Sequence, residues 1–82
     1  MRRDFLWDDD AAGGNVAHIA EHDLTPRDVE HDFVNVIRDT SSRSSGRPAL
    51  IGLTPDDRVI SVVYEEIADG LIYVFTAYET EE

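Results

Sequence analysis

Two runs rich in β-branched and aromatic residues, Val59 to Ile67 and Leu71 to Tyr78, meet at Asp69-Gly70. That dipeptide between extended runs is a strong hairpin signal, because its residues accept the positive φ of a tight turn. In the second run Leu71, Tyr73, Phe75 and Ala77 point one way, and Ile72, Val74, Thr76 and Tyr78 the other. Both sets are largely apolar, so this strand is expected to be central and covered on both faces. Ala49 to Leu53 reads as a further strand. It joins the hairpin through a Thr54-Pro55-Asp56-Asp57 turn in which proline sets the second position.

The N-terminal half has a different period. Phe5-Leu6-Trp7 is a short apolar run fit for a first strand, and Asp8 to Asp10 can cap a helix after it. A helix is expected from Ala11 to His22, with Val16, Ile19 and Ala20 on one face. Gly13-Gly14 weakens its start by roughly 1 kcal/mol per glycine. A second helix begins with Thr25 as N-cap, Pro26 in the first helical position and Asp28 as the capping-box acid. Val29, Phe33, Val36 and Ile37 continue it as an apolar stripe, and Arg38 suits its C-terminal dipole.

These elements predict a single α+β domain over residues 1–82. Two N-terminal helices would pack on one face of a mainly antiparallel sheet of three to four strands. The Ser-rich stretch 39–47 reads as a flexible loop that separates the halves without dividing domains, since neither half can bury a core alone. Residues 79–82 read as an acidic tail. The sheet face left bare by the helices is the expected surface for a partner or a homodimer.

Charge restricts function. Eighteen carboxylates against seven basic residues, all of them arginine, give a net charge of −11. Such a chain repels nucleic acid at long range, so a nucleic-acid-cleaving role needs a local basic patch. An acidic face meeting a basic partner is the functional reading of this balance, and a biased composition is the plain one. There is no cysteine, which excludes disulfides and thiolate metal sites. No apolar run approaches the ~20 residues that cross a bilayer, and the expected location is cytoplasmic, away from membranes.

His18-Ile19-Ala20-Glu21-His22 matches H-x-x-E-H, whose two imidazoles four residues apart share a helix face and could meet one zinc. A third ligand and a substrate cleft would have to come from elsewhere, so the pair reads first as surface or helix-packing histidines. No metal or other cofactor is expected. The carboxylates sit mostly in turns, caps and tails, and no pair stands out as an acid-base couple.

Taken in order, several pieces resemble the BrnT-like family: Phe5-Leu6-Trp7-Asp8, Asn15, His18-Ile19-Ala20-Glu21-His22, Leu24-Thr25-Pro26, Val29-Glu30 and Phe33. The second half adds Gly46-Arg47, Ile51-Gly52-Leu53-Thr54, Asp57-Arg58, Val62-Val63-Tyr64, Gly70-Leu71-Ile72-Tyr73-Val74 and Thr76-Ala77. The resemblance spans nearly the whole chain. It implies a fold like that of RelE-type ribonuclease toxins, a type II toxin-antitoxin setting and a BrnA-like antitoxin as partner. It also implies metal-independent cleavage of RNA, in which cations stabilise the charged phosphorane while a side chain moves a proton. On that reading Arg58 and Arg47 would hold RNA phosphate, Arg58 being catalytic as well. His18 or His22 would carry the proton, and Tyr64 or Tyr73 would donate a hydroxyl hydrogen.

The chain departs from the family pattern at its cations. The last strand reads Thr76-Ala77-Tyr78 where relatives have T-A-R, and Glu79-Thr80-Glu81-Glu82 stands where a basic helix follows. Asp23 replaces a glycine, and Ala11 a lysine. Losing one key transition-state stabiliser can cost ~100-fold in rate. Two functions are therefore carried forward: an RNA endonuclease with weakened or lost activity, and a non-catalytic protein-binding module acting through an acidic surface or as a homodimer.

Overall fold

The computed structural model describes residues 3–43 and 45–81. Along the chain run β1 (Asp4–Leu6), α1 (Asn15–Ala20), α2 (Pro26–Val34), β2 (Val36–Ser41), β3 (Pro48–Leu53), β4 (Val59–Ala68) and β5 (Leu71–Glu79). The five strands form one sheet in the order β1-β5-β4-β3-β2. β2 to β5 are antiparallel neighbours, whereas β1 joins β5 in parallel, with Asp4 opposite Leu71 and Leu6 opposite Tyr73.

This architecture corrects the expected pair of helices on a three- to four-stranded, RelE-like sheet. The sheet has five strands and is mixed, and the helices span only six and nine residues. The difference arises mainly at Val34-Asn35-Val36-Ile37, which the helical stripe absorbed. The α2 helix stops at Val34, and Asn35 leaves helical geometry at φ −131. Its Nδ2 donates to the His31 carbonyl, so the side chain competes for the last turn. Beyond it the β-branched residues enter β2, where Val36 and Ile37 stay largely exposed. Asp39 to Ser41, assigned to the loop, complete that strand; Ser44 of the same loop and Glu82 of the tail lie outside the described residues. At the other end, Ala11 to Gly13 form a turn and α1 begins only at Asn15.

The hairpin and the capping box are as the residues predict. Gly70 takes φ 77 between β4 and β5. Thr25 Oγ1 accepts from the Asp28 amide, and Asp28 accepts from the Thr25 amide. The core lies on one sheet face, where Ile19, Val29 and Phe33 of the helices meet Leu50, Ile60, Val62, Ile72, Val74 and Ala77. Strand alternation then places Ala49, Ile51, Ser61 and Val63 on the other face. No helix among the described residues covers that face. β5 is interior to the sheet as expected, but it is not roofed on both sides.

One polar side chain joins the first strand to the first helix. The Asn15 Nδ2 donates to the carbonyls of Leu6 and Val74, and its Oδ1 accepts from the Asp8 amide. It therefore closes the ladder just beyond the point where β1 stops pairing with β5. The chain must pass very close here: a Cβ on Gly14 would sit 2.2 Å from the Asp8 carbonyl oxygen.

A second close approach carries an electrostatic penalty. Asp32 on α2 is fully buried against Gly52 of β3, where a Cβ would come within 2.5 Å of Asp32 Oδ1. Neither carboxylate oxygen has a hydrogen-bond partner among the described residues, and burial pushes the acid up to about 7.

Asn15→Ala should cost about 2–4 kcal/mol, since it strands a buried amide and two carbonyls, and urea unfolding will measure it. An unchanged midpoint would show that Asn15 does not hold β1. For Asp32 the folded acid binds its proton more tightly than the unfolded one. Its penalty is thus absent below pH ~4, grows between about 4 and 7, and stays complete above that, reaching at most about 4 kcal/mol. Asp32→Asn should raise the melting temperature at pH 8 and leave it nearly unchanged at pH 4; an equal effect at both would refute the charge penalty.

Candidate functional site

The side chains that could perform chemistry fall into separate groups. His18 on α1 and His22 in the turn just after it meet edge to face at 5.7 Å between ring centroids, both exposed. A hydrogen bond of 3.0 Å links His18 Nε2 to Thr76 Oγ1 on β5, and the His22 ring lies 6.4 Å from that of Tyr78. The H-x-x-E-H spacing thus serves to dock α1 along β5. Among the described residues no third ligand completes a metal group with these histidines.

Arg58, at the end of the β3–β4 turn, is held from three directions. Its Nε donates to both oxygens of Asp56 at 3.1 Å. Its Nη1 donates to the Asp23 carbonyl at 3.0 Å, and its Nη2 lies 3.5 Å from Asp28 Oδ2. The turn itself is built around buried Thr54, whose hydroxyl donates to Asp56 and accepts from the Arg58 amide. The Thr54 hydroxyl and then the Arg58 guanidinium lower the Asp56 carboxyl below its usual range; Asp56 in turn raises Arg58. The guanidinium ties the turn to the α1–α2 connection and to the capping acid of α2. Sequence reading reserved it for phosphate, yet protein acceptors engage its donors.

Tyr64 packs edge-on to Phe33 at 5.0 Å, and burial followed by the nearby Asp39 charge pushes its phenol upward. Its hydroxyl keeps its proton at neutral pH. Arg47 lies 4.1 Å over the Phe75 ring and 3.7 Å from Glu65. Tyr73 meets that same Phe75 at 5.1 Å. The fold therefore brings Arg47 and Tyr73 together through Phe75, and His18 beside His22. It gives Arg58 and Tyr64 different neighbours altogether.

Two cations gain a setting that the sequence did not suggest. Arg38 seemed to complement a helix dipole, and Arg43 to decorate a loop. Both line a groove of about 310 Å³ on the sheet face opposite the core, with Thr40, Ile51, Ser61 and Tyr78. The signal was available only through pairing: Arg38 lies opposite Ile51, Ile51 opposite Ser61, and Ser61 opposite Tyr78, one row across four strands. Asn15 and Asp32 were likewise unmarked as structural centres.

No family model, curated protein or solved structure matches this chain.

The Arg58 arrangement predicts that Arg58→Ala lowers thermal stability by several degrees. Arg58→Lys should recover little of the loss, because an ammonium cannot reproduce the fork to Asp56 and also reach Asp23. Melting curves for both variants suffice; wild-type stability in Arg58→Ala would remove the clamp.

Proposed function

We propose that this chain is a BrnT-like toxin-family domain that works as the protein-binding half of a type II toxin-antitoxin pair, with ribonuclease activity weakened or lost. The observation that carries the reading is the engagement of Arg58 by Asp56, Asp28 and the Asp23 carbonyl. A phosphate would have to displace these acceptors and lie among carboxylates. The proton carriers His18 and His22 lie apart from Arg58, and the described residues lining the groove of Arg38 and Arg43 include neither histidine nor carboxylate to accept a 2′-hydroxyl proton.

Several residues that carry the family resemblance have structural roles in this fold. Its residues fall at joints: Asn15 ties β1 to α1, Thr25 caps α2, Gly52 admits Asp32, and Arg58 clamps the loops. A scaffold kept at its joints and carrying −11 suits a basic protein partner, such as a BrnA-like antitoxin, through charge complementarity. Among the described residues no helix is long and apolar enough to cross a membrane.

Induced expression in bacteria should leave growth and bulk RNA intact. Co-expression with the product of the adjacent reading frame should yield a complex that weakens as salt rises. Growth arrest with RNA cleavage would instead establish the endonuclease. Intact RNA with no complex would defeat the binding role.

A further inference from the structure

Aromatic side chains that pack on the core also line a cleft between β1 and α2. Phe5 of β1 meets Phe33 of α2 edge to face at 4.9 Å between ring centroids, and Trp7 stacks on Phe5 at 6.2 Å. Arg3, Phe5, Glu30, Phe33 and Val34 line the cleft, which has a volume of about 260 Å³. Val34 is 78% exposed, so its apolar side chain stands open to a partner. Glu30 is exposed as well, and Trp7 Nε1 donates to its Oε2 at 2.7 Å, which holds the carboxylate beside the rings. A carboxylate has about four acceptor positions, so this bond leaves room for a second donor.

The chain places a cation of its own here. Arg3 Cζ lies 5.6 Å from the Phe33 ring centroid, over its face, within the range of a cation–π contact. Arg3 is exposed and precedes β1, so no strand pairing fixes it. Acidic charge gathers around the same wall. Tyr64 packs on Phe33, and its phenol feels Asp39 and Glu66 with only Arg3 to oppose them. Aromatic faces, a positioned carboxylate and surplus acid together are the chemistry that receives a guanidinium. The volume falls below the ~300–1,000 Å³ of small-molecule sites, so it suits one side chain of a larger partner. Arginine seated in such a pocket is a common centre of binding energy at protein interfaces. We propose that this cleft receives an arginine side chain of a basic protein partner, which replaces Arg3 over Phe33 and pairs with Glu30. The proposal rests on the protein-binding reading and locates its contact. Arg3 is then an internal competitor that the partner must displace.

The chain has a single tryptophan, Trp7, and its bond to Glu30 makes its fluorescence a reporter of the cleft. The probes are N-acetyl-arginine methylamide, its lysine counterpart and its citrulline counterpart, an uncharged isostere, titrated into the full chain at low ionic strength. Backbone amide NMR locates the contact. The arginine probe should shift Trp7 emission and the amides of Glu30 and Val34, and bind about tenfold more tightly than citrulline, with lysine between them. Arg3→Ala should tighten arginine about two- to fivefold by removing the competitor. Glu30→Gln keeps an acceptor for Trp7 and should weaken arginine about fivefold. Both positions are exposed, so these variants keep the test valid if Phe5→Leu fails to fold. Equal binding of arginine and citrulline, shifts confined to the open sheet face, or an Arg3→Ala variant no tighter than wild type would each overturn the assignment. So would self-association that the arginine probe reverses, which would give the cleft to a second copy. Co-expression with the product of the adjacent reading frame separates this proposal from the reading beneath it. Glu30→Gln should weaken that complex and Arg3→Ala strengthen it. A complex indifferent to both would overturn the cleft and leave the protein-binding reading standing. Arginine bound at the cleft with no complex would defeat that reading, and the protein partner proposed for the cleft with it.

Discussion

The three hydrogen bonds of the Asn15 side chain are the constraint from which the architecture follows. Where β1 leaves the sheet after Leu6 and the chain turns back through residues 7–14 to start α1 at Asn15, carbonyls of both β1 and β5 need partners. One amide satisfies the Leu6 and Val74 carbonyls and takes the Asp8 amide as well. With those groups paired in a buried site, the low polarity of the surroundings strengthens each bond. Helix α1 is thereby fixed against β5, where Ile19 can enter the core and His18 can reach Thr76.

The opposite end of the helical layer is held by a mixture of favourable and unfavourable electrostatics. Arg58 draws the β3–β4 turn, the α1–α2 connection and the capping box into one network. Asp32, a few residues along the same helix, is buried beside Gly52 with no hydrogen-bond partner among the described residues. An unpaired buried acid is a cost that packing must offset. Here the offsetting contacts are those of Val29 and Phe33, which occupy the core from the same helix.

The same geometry separates the two faces of the sheet in character. The core face is apolar and roofed by short helices. The other buries Ala49, Ile51, Ser61 and Val63 and carries Arg38, Arg43 and the half-exposed Tyr78 along a groove.

Much of the strand-rich half was legible in the chain. Asp69-Gly70 announced its hairpin, alternation in Leu71 to Tyr78 placed that strand inside the sheet, and Thr25-Pro26 with Asp28 marked the start of α2. These are local signals, set by φ preference, side-chain period and capping chemistry within a few residues. Tertiary structure alone decided that Val36 and Ile37 leave the helix for a strand, since both periods fit the same apolar residues and only pairing with β3 separates them. It also decided what each charged side chain does. Arg58 became a clamp and Arg38 a groove residue because, beyond the local Asp56, the groups that meet them lie on segments distant in sequence. No local pattern encodes which carboxylate or carbonyl will stand within 3 Å of it once the chain has folded.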